Sequence, residues 1–191
     1  MTAEERLWWY AQYFDVVEVN SSFYAIPSVE TAKGWVERTP PGFLFNVKAY
    51  GLLTGHHLDA ARLPKVLRAM LPRSERAKRA GRIASSAPGP EARAWAFDEM
   101  RKTLRPLREA DKLGYVLFQF APWVKRSDEA FESLAGLHRT LPDTVLAIEF
   151  RNRSWFGEHT DETLAFLHDH GLTMCRSTGR EAAPRCHRCR P

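Results

Sequence analysis

Five short apolar runs, each set between helical patterns, constrain this chain more than any other feature of its sequence. They occupy residues 16–20, 43–48, 115–120, 146–150 and 172–175 of 191. Between them, apolar residues recur at helical spacing: Leu7, Ala11 and Phe14; Val29, Ala32, Trp35 and Val36 after a capping Ser28; Leu63, Val66, Leu67 and Met70; Phe97, Met100, Leu104 and Leu107; Phe131, Leu134, Leu137 and Leu141 after Ser127; Leu164 and Leu167 before Gly171. Trp8, Trp9, Trp35 and Trp95 fall at the same spacings and are expected in packing, and Pro106 is expected to kink or interrupt its helix. The alternation of strand and helix means βαβ units and a parallel sheet, an α/β fold. Runs this brief and apolar suit strands covered by helices. An open doubly wound sheet and a barrel both satisfy the pattern. No glycine-rich loop follows any strand, which disfavours the dinucleotide-binding form of the former.

Charge is unevenly placed. The formal net charge is +5, but residues 73–82 and 176–191 each carry a balance of +4, leaving −3 for the rest. The basic pI therefore does not argue for nucleic acid, and residues 73–82 have no interleaved aromatics on which bases could stack. Residues 72–91, basic and then rich in Ser, Ala, Pro and Gly, are expected to be an exposed insertion loop. No run approaches the ~18 apolar residues of a membrane span. No apolar segment follows the acidic start at Glu4-Glu5, so the expected location is the cytoplasm, away from membranes.

The strand ends carry the candidate chemistry. Side chains alternate along a strand with period two, so Glu18 and Asn20 share a face, as do Asn46 and Lys48, and Glu149 and Arg151. Gln119 sits at a fourth strand end. In a parallel barrel such ends converge on the rim where catalytic groups sit. A buried ion-pair network that only closes the sheet is the competing account of the same residues.

Several motifs in order resemble the DUF72 (YecE-like) family. They are Phe14-Asp15-Val16-Val17-Glu18-Val19-Asn20-Ser21-Ser22-Phe23-Tyr24; Trp35 with Thr39-Pro40; Phe43-Leu44-Phe45-Asn46-Val47-Lys48; Thr54-Gly55-His56; Leu117-Phe118-Gln119-Phe120-Ala121-Pro122, with Ala121 where the family has proline; and Glu149-Phe150-Arg151 with Trp155. The resemblance runs from about residue 6 to 176. It implies a TIM-type barrel with no settled activity. The family's opening strand and later units have no match here, so the expected fold is a partial parallel (β/α) barrel of about five of eight strands over residues 1–176.

The resulting expectation is a barrel enzyme, or the remnant of one, binding an anionic or sugar-like substrate at the rim. Lys48 and Arg151 would hold the anion, Glu18, Glu149 and His56 would move protons, and Asn20 and Gln119 would orient the substrate. Tyr24 and Trp155 would complete the contacts, with packing beneath the rim loops left open for Trp123 and Trp155. The alternative is a non-catalytic ligand-binding or interaction barrel, inactive through truncation. No metal is expected and the cofactor is left open. Cys186-His187-Arg188-Cys189 with Cys175 offers one Cys-x-x-Cys pair where zinc wants four ligands. Residues 177–191 are expected to be an unstructured tail resembling out-of-frame translation. Edges left open by missing strands are expected to drive self-association.

Overall fold

The computed structural model describes residues 2–175, so the expectations for the tail and for Cys186, His187 and Cys189 lie outside it. Helix α1 (Ala3–Tyr10) starts from a capping box: Thr2 Oγ1 accepts the Glu5 N–H, and a Glu5 carboxylate oxygen accepts the Thr2 N–H at 2.7 Å. Strand β1 (Val16–Val19) follows, then α2 (Val29–Glu37), whose first turn is capped by Ser28 Oγ accepting the Thr31 N–H. Next come β2 (Leu44–Lys48), β3 (Leu58–Asp59), α3 (Lys65–Met70), α4 (Arg73–Arg76), β4 (Arg82–Ile83) and the long α5 (Gly89–Glu109). The chain ends with β5 (Leu113–Gln119), α6 (Asp128–Ala135), α7 (Leu137–Thr140), β6 (Leu146–Glu149), α8 (Thr160–Asp169) and β7 (Thr173–Met174).

Five strands form one parallel sheet in the order β1-β2-β5-β6-β7, while β3 and β4 make a separate antiparallel pair. Alternation sorts the parallel sheet into two unlike faces. Phe45, Val47, Val116, Phe118, Leu146 and Ile148 are buried in one core with Met100, Leu104 and Leu107 of α5, Leu67 of α3 and Leu167 of α8. The opposite face carries Glu18, Asn46, Lys48, Tyr115, Gln119 and Glu149 in matching register. Leu117 and Ala147 are also buried there, but lie outside the helix-covered core. Among the described residues, helices thus pack on one side of the sheet only.

The expected α/β class and the five parallel strands are present. A closed barrel is not: among the described residues β1 and β7 each pair on one side only. Three local expectations need correction. Trp8 and Trp9 are about half exposed, 53% and 51%, because α1 packs on the core through Leu7 and Ala11, and Trp9 instead stacks on Tyr13. Pro106 does not interrupt α5, which ends only three residues later at Glu109. Residues 72–91 are mostly exposed but not a plain loop. They contain α4 and β4, with Ile83 fully buried and the Arg68 guanidinium donating to the carbonyls of Ala60, Arg76 and Lys78. One buried isoleucine and backbone-directed arginines leave no apolar period in the sequence. No helix among the described residues is long and apolar enough to cross a membrane.

Lys112 locks the turn between α5 and β5 to the end of α2. Its ammonium, 6% exposed as a residue, donates to the carbonyls of Val36 and Thr39 and to Thr39 Oγ1, at 2.6–2.9 Å. It places a cation at the negative end of a helix and satisfies carbonyls that have no partner within it. Burial lowers its pKa from the usual lysine value. We predict that Lys112→Met, which removes a charged donor from buried acceptors, costs about 2–4 kcal/mol. The melting temperature should fall by roughly 5–12 °C; an unchanged melt would show that these contacts are incidental.

Candidate functional site

On the polar face, three neighbouring strands end in one connected chain of side chains. Lys48 Nζ donates to Gln119 Oε1 at 2.9 Å, Gln119 Nε2 donates to Glu149 Oε2 at 2.7 Å, and Arg151 Nε lies 2.6 Å from Glu149 Oε1. Parallel register produces this directly, since Gln119 is aligned with Glu149 and Lys48 with Leu117, two residues before Gln119. The alignment of β2 with β5 depends on an irregularity. Phe45 faces Leu113 but Val47 faces Val116, so β5 carries one extra residue at Gly114-Tyr115. Asn46 Oδ1 accepts the Tyr115 N–H there, and a Cβ on Gly114 would lie 2.2 Å from that oxygen.

The loops after the strands complete the surroundings. Ser22 Oγ, fully buried, lies 2.6 Å from the carbonyls of both Val19 and Lys48, tying the turn after β1 to the end of β2. That tie sets Phe23 under the Lys48 ammonium, 5.0 Å from the ring centre. After β2, the turn Gly51–Thr54 leads to Gly55, whose positive φ of 78° brings the chain back toward β5. The Thr54 carbonyl accepts the Ala121 N–H and the Gly55 carbonyl accepts the Trp123 indole N–H. His56 is thereby held edge-on to Phe23, with Nδ1 2.9 Å from Thr54 Oγ1. Partial burial, then the charges of Lys48 and Arg151 and the neighbouring His57, lower its pKa below the usual histidine value of 6.5. The imidazole is therefore neutral at neutral pH.

Five of the residues singled out in the sequence come together: Lys48, Gln119, Glu149, Arg151 and His56. Glu18 shares their face but stands exposed on β1; burial, then the Glu18 charge, raise the pKa of the Tyr115 hydroxyl. Asn20 is exposed at the head of the Ser21–Phe23 turn, outside the chain of contacts. Tyr24 is 57% exposed, beside Phe23 and under the Arg62 guanidinium. Trp155 does not line the site. It is 1% exposed, stacked on Phe150, with its indole N–H donating to the Val124 carbonyl, so it supports the loop from below. Ser22, Asn46, Gly114 and Tyr115 went unmarked as site residues in the sequence, because their roles are contacts between strands and turns far apart in the chain. Among the described residues no three His, Cys, Asp or Glu side chains converge to hold a metal ion.

Burial, then the charges of Glu149 and Glu18, push the Cys175 thiol up. Cys175 follows β7 and Glu18 lies on β1, the two edges of the sheet. Four strand spacings would hold them ~19 Å apart in a flat sheet, about twice the range at which salt screens exposed charges.

The profile of the family described as "Protein of unknown function DUF72" matches residues 1–187. The UPF0759 protein YunF of Bacillus subtilis is 32% identical over 170 residues, covering 88% of this chain and 51% of that protein. The chain thus spans about half the length of this curated relative. A crystal structure of a DUF72 family protein from Enterococcus faecalis aligns with a TM-score of 0.66 at 22% identity, over 91% of this chain and 59% of that one. Another, from Thermotoga maritima, aligns at 0.60 with 27% identity over 91% and 55%. With its motifs matched in order and its fold shared with these proteins, the chain belongs to the DUF72 family.

Proposed function

We propose that this chain forms part of the wall of a parallel β/α barrel, and that its polar face binds a small anionic or sugar-like substrate for acid–base chemistry. The observation that carries this reading is the connected chain Lys48–Gln119–Glu149–Arg151 across three strand ends. Active sites of parallel barrels lie at that end of the strands. Lys48 and Arg151 supply the anion-binding charge and Gln119 fixes their spacing. His56, neutral and beside both cations, is the proton acceptor. Glu149 and Glu18 are the carboxylates on the same face. A binding barrel without turnover is the second reading, favoured by the pairing of the Glu149 carboxylate with Gln119 and the Arg151 charge. The domain in either case is residues 1–176.

Calorimetric titration with small carboxylates and phosphate esters tests the anion site. Replacing both cations, Lys48→Ala with Arg151→Ala, should weaken binding at least tenfold, about 1.4 kcal/mol. Affinity unchanged in the double variant sinks the reading. Turnover of any bound ligand that is lost in His56→Gln, with binding kept, would decide for the enzyme over the binding barrel.

His56 also makes stability depend on pH. Its folded pKa lies below the ordinary 6.5, so between the two values the unfolded chain binds more protons. Stability should therefore fall as pH drops below about 6.5. His56→Gln should show a shallower loss of melting temperature between about pH 7.5 and 5; equal slopes would contradict the assignment.

The open edges of β1 and β7, with Trp8, Trp9, Tyr13 and Phe14 exposed near the first, are proposed as self-association surfaces. Light scattering coupled to gel filtration should show species larger than one chain, and a strictly monomeric protein at high concentration would overturn this.

A further inference from the structure

A second concavity adjoins the strand-end site on the far side of Phe23. It has a volume of about 540 Å³, and its lining comes from three places: Phe23 and Tyr24 after β1, Tyr50 after β2, and His57, Asp59, Arg62 and Arg82 from the β3–β4 region. The floor is apolar and aromatic, with Tyr50 and Leu58 buried. Burial pushes the Tyr50 phenol up to about 12, so its hydroxyl stays neutral throughout the physiological range. Gly51 permits the close approach: a Cβ there would lie 3.2 Å from the Phe23 ring.

The rim of this cleft is cationic and only loosely compensated. Arg62 lies over the exposed Tyr24 ring, 5.8 Å from its centre, and is 3.7 Å from Asp59 through Nε. Arg82, aligned with Asp59 across the β3–β4 ladder, is exposed and also lines the cleft. Arg62 is thus paired with Asp59, and Arg82 stands beside that pair. Asp59 is itself engaged, because its Oδ1 accepts the Ala61 N–H. Guanidinium pairs suit phosphate oxygens, an exposed tyrosine face suits the C–H side of a sugar ring, and His57, Asp59 and the Tyr50 hydroxyl can bond sugar hydroxyls.

We propose that this cleft is the phosphate subsite of the strand-end site and that the substrate class is phosphorylated sugars. The phosphate sits between Arg62 and Arg82, and the sugar lies along Tyr24 and Phe23. Phe23 is the shared wall, since it lines the cleft and also lies beneath Lys48. The far end of the sugar therefore extends toward Lys48, Gln119 and His56. The part played by Lys48 rests on the anion-binding function proposed above; the Arg62–Arg82 cleft stands by itself.

The test is calorimetric titration of the full chain with ribose 5-phosphate and glucose 6-phosphate, alongside ribose, glucose and inorganic phosphate. Both phosphosugars should bind more tightly than the sugar or phosphate alone. Arg62→Ala with Arg82→Ala, both at exposed positions, should reduce phosphosugar affinity about tenfold or more at an unchanged melting temperature. Asp59→Asn, which keeps the oxygen that accepts Ala61 but removes the negative charge paired with Arg62 and beside Arg82, should raise it; a purely structural role for Asp59 would not. Phosphosugar binding lost in Lys48→Ala but kept in the arginine double variant overturns the cleft and leaves the strand-end reading intact. Loss in the arginine variant with none in Lys48→Ala supports the cleft and overturns the strand-end reading. No binding of either phosphosugar, or binding equal to that of inorganic phosphate, overturns the proposed substrate class.

Discussion

Among the described residues, helices cover only one face of the parallel sheet, and the rest of the architecture follows from that asymmetry. Parallel strands are usually buried on both sides and apolar throughout. Here Phe45, Val47, Val116, Phe118, Leu146 and Ile148 pack beneath α3, α5 and α8, while the alternate positions turn away from every helix. A face that excludes helices has two ways to escape the cost of exposed apolar area: carry polar side chains, or curl until its own residues shield one another. The strand ends of this sheet take the first route. Val16 and Leu44, near the strand starts, stay exposed, whereas Leu117 and Ala147 are buried outside the main core.

Burial at the strand ends creates an electrostatic problem that the neighbouring side chains meet. Glu149 is only 6% exposed as a side chain, and a carboxylate taken that far from water needs partners on both oxygens. Gln119 donates to one; the other faces the Arg151 guanidinium at 2.6 Å as an ion pair but accepts no hydrogen bond among the described residues. Gln119 can bridge only if β2 and β5 are aligned so that its amide reaches both Lys48 and Glu149. The extra residue at Gly114-Tyr115 sets that alignment, and the Asn46 side chain satisfies the backbone donor the bulge leaves over. A glycine and an asparagine near the strand starts therefore determine the spacing of charges at the strand ends.

These dependencies explain what was legible in the sequence. Period-two alternation gave the faces of Glu18, Lys48 and Glu149, because it is local to each strand. Ser28 and Ser127 could be read as caps for the same reason. The bulge, the Ser22 clamp and the cleft around Arg62 and Arg82 could not be read, since each joins residues with no shared periodicity. Trp155 shows the converse error. A tryptophan after a strand end invites a pocket, yet the stacking of Phe120, Phe150, Trp155 and Phe131 makes it part of a buried aromatic layer. Trp8 and Trp9 show that helical spacing places side chains on a helix face without saying whether anything packs against it.

The charge left over at the strand ends points outward from this network. With His56 neutral, Lys48 and Arg151 carry two positive charges against the single negative charge of Glu149. Arg151 is matched by that carboxylate, and among the described residues Lys48 has no ion pair, being held by the neutral Gln119 oxygen and the face of Phe23. Neither contact cancels a full charge. An amide dipole and a ring quadrupole position the ammonium while leaving its field intact. The same field, together with that of Arg151, disfavours a proton on His56. A neutral imidazole and an ammonium with no ion pair among the described residues are thus two consequences of one arrangement of charges.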